Sequence, residues 1–150
     1  MRAFLFKWLT VVFAVTLISS FVSMMAAFVG SEGADLRDLI ILQTVLIPLA
    51  VAVVIWCFGM LVRRHGYKGA FRTFWNGLPG WLLFAVFAAN ALVLIAELSF
   101  ILIQHHTGDL RPWQEHVPAA TTLFSSIALA VCYVSLRLAD RDGNEPHGRR

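Results

Sequence analysis

Apolar residues gather into four long runs, at about residues 4–28, 39–62, 81–103 and 117–136, divided by short polar breaks. Each run reaches or exceeds the ~20 residues that an α-helix needs to cross a hydrocarbon core ~30 Å thick. The pattern predicts an all-α integral membrane protein: an antiparallel four-helix bundle over residues 1–139, made of little besides its spans. Residues 140–150, with Asp142, Gly143, Asn144, Pro146 and Gly148, read as a short disordered tail. Pro48 falls inside span two and is expected to kink it or mark a local break.

Composition strengthens this reading. The 150 residues are 59% hydrophobic and 14% charged, where a soluble domain carries about 25% charged residues. A chain this short cannot surround four apolar helices with polar ones. The cations also alternate. Arg2 and Lys7 open span one, Arg63, Arg64, Lys68 and Arg72 separate spans two and three, and Arg137, Arg141, Arg149 and Arg150 follow span four. Only Arg37 and Arg111 lie in the other two breaks. The positive-inside rule then puts both termini and the middle loop in the cytoplasm. The small size and strong charge bias point to a bacterial inner membrane. The net charge of +3 follows from this topology and carries no expectation of nucleic-acid binding. Span one has a basic start and small residues at Ala26 and Ala27, but it is longer than the apolar core of a signal peptide and is read as an uncleaved span.

The break between spans two and three has a pattern of its own. Tyr67, Phe71, Phe74 and Trp75 share one helical face, and Arg64, Lys68 and Arg72 recur every four residues along its flank. Gly66 and Gly77 bracket the segment, and Pro79–Gly80 ends it. This predicts a short interfacial helix with rings at the acyl boundary and Arg64, Lys68 and Arg72 at lipid headgroups.

Glu97 in span three is the one charged residue deep within a span. Asn90 and Gln104 stand seven residues to either side, so the three form a stripe that drifts only ~20° per step. At 1.5 Å per residue, Glu97 lies ~10 Å below the outer end. A carboxylate facing lipid at that depth is costly, so the stripe is expected to face protein or a wet crevice. Gln43 in span two, Ser23 in span one, and Thr122 and Ser126 in span four fall at similar depth. Together they predict an outward-facing polar pocket centred on Glu97. No Lys or Arg is deep enough to pair with the acid, so hydrogen-bonding groups of neighbouring helices are its expected partners. Ser19, Ser23 and Ala27, and likewise Ala85 and Ala89, form small ridges that permit close helix approach.

The outer loop 104–116 holds His105, His106, Asp109, Glu115 and His116. Imidazoles and carboxylates are metal donors, which makes His105, His106 and His116 weak metal candidates. Their spacing matches no compact zinc motif, and neither a metal nor a cofactor is expected. Cys57 and Cys132 lie within spans, form no C-x-x-C, and read as inert apolar thiols.

The residues place the chain in no functional family: small multidrug transporters also have four spans but are shorter, and a resemblance to them fails at the acid, which is Glu97 in the third span here. Their essential acid stands in the first span, where this chain has none. No nucleophile–base arrangement or cofactor motif points to an enzyme. The expected function is that of a small non-enzymatic polytopic membrane protein acting through helix–helix contacts, as an accessory, assembly, regulatory or immunity-type subunit. Its expected partners are the lipid bilayer and a membrane protein or further copies of itself. The alternative is a homo-oligomeric small-solute or ion transporter or channel with Glu97 as the proton-coupling acid.

Overall fold

The computed structural model describes residues 2–29, 34–108 and 116–144. Four helices account for nearly all of them: α1 (Arg2–Val29), α2 (Ala34–Gly77), α3 (Gly80–Thr107) and α4 (Val117–Asn144). All four are long and apolar enough to cross a membrane. A helix pairs every interior backbone N–H and C=O within itself, which is what an apolar surrounding demands. The loop residues Asp109, Arg111, Pro112, Trp113 and Glu115 lie outside the described residues. Helix α4 continues to Asn144, past the expected start of the tail, and residues 145–150 lie outside the described residues.

Local chemistry sets the helix ends. Pro79 is extended (φ −70°, ψ 145°) and precedes α3. Its carbonyl accepts from the N–H groups of Leu82 and Leu83 at 3.0 and 3.1 Å. Gly108 closes α3 in the left-handed conformation (φ 72°), donating its N–H to the Gln104 carbonyl at 2.9 Å. A residue without Cβ takes that shape at little cost.

Helix α2 runs on through Pro48, and its non-helical residue is Gly66, at φ 68° and ψ 169°. This region is open essentially to glycine alone. The break at Gly66 divides α2 into an arm over 34–65 and a second arm over 67–77. The second arm packs through Ala70 and Phe74, and at Gly77 a Cβ would stand 3.0 Å from Cγ1 of Val134 on α4. Phe74 is thus turned toward the core, whereas Tyr67, Phe71 and Trp75 are exposed. The expected four-ring face is therefore a three-ring face. Trp75 still meets both Phe71 and Phe74 edge-on at 6.0 Å. Lys68 and Arg72 are exposed beside the rings.

Helix α4 is the centre of the molecule. It packs against α1, α2 and α3, while α1 and α2 touch more sparingly. In its most apolar stretch 61% of α4 is buried, against 28, 22 and 17% in α1, α2 and α3. Residue type explains the difference. Most buried positions of α4 are small, namely Ala119, Thr121, Thr122, Ser125, Ser126, Ala128, Ala130, Cys132 and Ser135, beside Val117, Pro118, Val131 and Val134. Small side chains let neighbouring helices approach from several directions. Thr121 and Thr122 satisfy their hydroxyls on the carbonyls of Val117 and Pro118 at 2.8 Å, so these groups can be buried without a partner helix. Phe6, Phe13, Ala50, Val53, Cys57, Ala128, Val131 and Cys132 form the main core among α1, α2 and α4. Met24, Val93 and Ala119 form a second cluster that includes α3.

Candidate polar site on helices α3 and α4

Helix α3 meets α4 along a stripe that carries Asn90, Val93 and Glu97. Two cross-helix polar pairs lie on it. Asn90 donates from Nδ2 to Ser126 Oγ at 3.0 Å and to the Val86 carbonyl of its own helix at 2.7 Å. Ser126 passes its own proton to the Leu123 carbonyl at 2.8 Å. Further along the stripe, toward the C-terminal end of α3, Glu97 Oε2 stands 2.8 Å from Nδ1 of His116. The pairs descend α3 as they ascend α4, and Trp81 against Tyr133 extends the series at the far end, so the two helices are antiparallel.

His116 is the partner that depth along the spans does not disclose. It precedes α4 directly, and the packing of α4 on α3 carries its ring over the carboxylate. The side chains of His116 and Glu97 are 40% and 26% exposed. One proton lies between them. With Glu97 ionised, the Nδ1–H donates to the carboxylate; with Glu97 neutral, its hydroxyl donates to Nδ1. The second carboxylate oxygen, Oε1, is buried and has no hydrogen-bond partner among the described residues.

The other predicted polar groups are distributed over a second interface. Gln43 on α2 is buried and donates from Nε2 to Ser23 Oγ on α1 at 3.0 Å. Ser23 in turn donates to the Ser19 carbonyl at 3.0 Å. Thr122 is buried on α4 and bonds within its own helix. Gln104 is half-buried in the last turns of α3, where its carbonyl receives the Gly108 cap. The hydrogen bonds therefore join α1 to α2 and α3 to α4. Gln43 Oε1 and Asn90 Oδ1 are buried without a partner among the described residues.

His105 and His106 lie in the last turn of α3 with their rings edge-on at 6.3 Å, both exposed. Among the described residues no three His, Cys, Asp or Glu side chains converge on one point. Cys57 and Cys132 are free, fully buried and neighbours in the main core. The chain matches no protein-family profile, no curated protein and no solved structure.

Proposed function

We propose that this is a small non-enzymatic membrane protein that works through contacts between its helices and a partner membrane protein, as an accessory, assembly or regulatory subunit. The observation that carries this reading is the attachment of α3. This helix is held mainly by α4 and presents Phe84, Phe87, Leu94, Ile95, Leu98, Ile101 and Leu102 on its exposed side. An apolar flank of that length on a helix held mainly along one side offers a second protein a continuous seat. We further propose a bacterial inner membrane, with both termini and the 67–77 arm on the cytoplasmic side. Arg63, Arg64, Arg137 and Arg141 meet at one end of the helices, as the positive-inside rule requires. The exposed row of Tyr67, Phe71 and Trp75 suits an arm lying in the interface.

Purification from the native membrane in mild detergent, with intact-mass stoichiometry, tests the proposal. A stoichiometric foreign membrane protein, released by Leu94→Gln and Leu98→Gln, supports it. A partner-free chain, or capture insensitive to those changes, overturns it.

The Glu97–His116 pair favours a second reading, a homo-oligomeric proton-coupled transporter. An acid sharing one proton with an imidazole can load and release it along a path. In liposomes this reading requires Glu97→Gln to abolish proton-coupled flux while helix content and oligomeric state stay unchanged. Flux that persists in that variant counts against it.

A further inference from the structure

The 67–77 arm and the last turns of α4 border a cavity of about 220 Å³. Thr73, Asn76 and Gly77 form one wall, and Val134, Arg137 and Arg141 stand on the other. Gly77 has no Cβ to hold the arm away from Val134, so the two walls lie close. Thr73 and Asn76 are three residues apart and Arg137 and Arg141 four, so each pair shares one face of its helix. The Arg137 guanidinium lies 5.7 Å from the centre of the Tyr133 ring, which steadies it. No acidic side chain lines the cavity, and neither arginine has an acidic partner among the described residues.

We infer that this cavity binds a phosphate group, carried either by an anionic phospholipid or by a small soluble phosphate. Like charges four apart on a helix repel, and an anion held between them turns that repulsion into attraction. Each guanidinium fork matches two phosphate oxygens. The Thr73 hydroxyl and the Asn76 amide add uncharged donors from the facing wall. Donors on two facing walls suit the tetrahedral oxygens of a phosphate better than the planar pair of a carboxylate. Basic pockets between helices at a membrane surface are recurrent headgroup sites. A bound phosphate also ties the arm to α4, on the far side of the break at Gly66. The inference goes beyond the proposed partner binding and needs no protein partner. Its lipid source alone rests on the reading that this end lies at a membrane surface.

The experiment uses the full chain in detergent and has two arms. The lipid arm is native mass spectrometry with equal phosphatidylglycerol and phosphatidylcholine, whose choline ammonium repels the guanidiniums. The soluble arm is the melting temperature in inorganic phosphate against chloride at equal ionic strength. We expect single-lipid adducts to favour phosphatidylglycerol by about ten-fold. Arg137→Gln with Arg141→Gln removes that preference. Thr73→Val with Asn76→Ala alters no charge and lowers the phosphatidylglycerol adduct about five-fold. Lys68→Gln with Arg72→Gln removes the same formal charge from exposed positions of the same arm and leaves the adduct in place. Helix content by circular dichroism accompanies every variant. Equal retention of the two lipids, with a phosphate-dependent rise in melting temperature that the Arg137–Arg141 variant abolishes, assigns the soluble source and supports the inference. Absence of both the lipid preference and that rise overturns it. So does equal loss in the two charge pairs, which marks diffuse attraction, and so does an adduct indifferent to Thr73 and Asn76. Failure of the membrane reading is distinguishable, because alkaline carbonate would then extract the chain from the membrane fraction while phosphate still stabilised it.

Discussion

His116 and Glu97 share a 2.8 Å contact where the start of α4 meets the last turns of α3. With His116 40% exposed, solvent weakens the attraction. A double-mutant cycle of Glu97→Gln and His116→Ala is expected to give a coupling of about 0.5–1 kcal/mol. Unfolding in mixed micelles measures it. Strict additivity of the two changes would mean that the pair does nothing for stability.

Gln43 has one satisfied side-chain donor contact and an orphaned Oε1. Gln43→Met loses the bond to Ser23 but also removes the orphan. Interhelical hydrogen bonds in membranes average about 0.6 kcal/mol, so the net change is expected to stay within about 1 kcal/mol. A loss several times larger would show that Oε1 is bonded to water that the helices enclose.

At Gly66, nothing lies within 4 Å of where a Cβ would be. The cost of Gly66→Ala is therefore one of backbone conformation, about 1–3 kcal/mol at φ 68° and ψ 169°. If the helix straightens to avoid that cost, the 67–77 arm leaves α4. A cysteine at position 74 then becomes accessible to maleimide, and labelling with and without the glycine change reads this directly.

Gly77 poses the opposite case, because its Cβ would press on Val134 at 3.0 Å. Gly77→Leu is expected to destabilise by about 1–3 kcal/mol through overpacking. Val134→Ala should restore part of the loss. Absence of any rescue would place the strain elsewhere.

Phe13 and Phe84 are alike in sequence and opposite in setting, at 0% and 76% exposed. Phe13→Ala is expected to cost about 3 kcal/mol, the lower end of the range for buried aromatics, since lipid supplies no transfer penalty. Phe84→Ala should change stability by less than about 0.5 kcal/mol. A comparable loss at both positions would mean that α3 is covered by another copy in the sample.

Much of this was legible from residue order. Four apolar runs mark the four helices, and the seven-residue spacing of Asn90 and Glu97 marks the α3 stripe that turns to α4. The role of His116 was not, because a depth argument counts residues along spans and says nothing of how a loop returns. The central place of α4 left a readable trace: Ala119, Thr121, Thr122, Ser125, Ser126 and Ala128 make a helix of small residues beside three bulky ones. Spacing-by-four ridges such as Ala85 and Ala89 miss it, since α4 is small on several faces rather than along one line. Phe74 departs from its ring row because Ala70 and Gly77 draw that side of the arm against the core.

The central helix also follows the other three in chain order. Translation delivers α1, α2 and α3 before the surface that unites them exists. Until α4 arrives, Asn90 and Glu97 have neither Ser126 nor His116 to receive them. Without α4, α1 and α2 keep only their sparing contact with each other, and α3 loses the helix that mainly holds it. Arrival of α4 supplies both partners at once, so the contacts that unite α1, α2 and α3 form together rather than one by one.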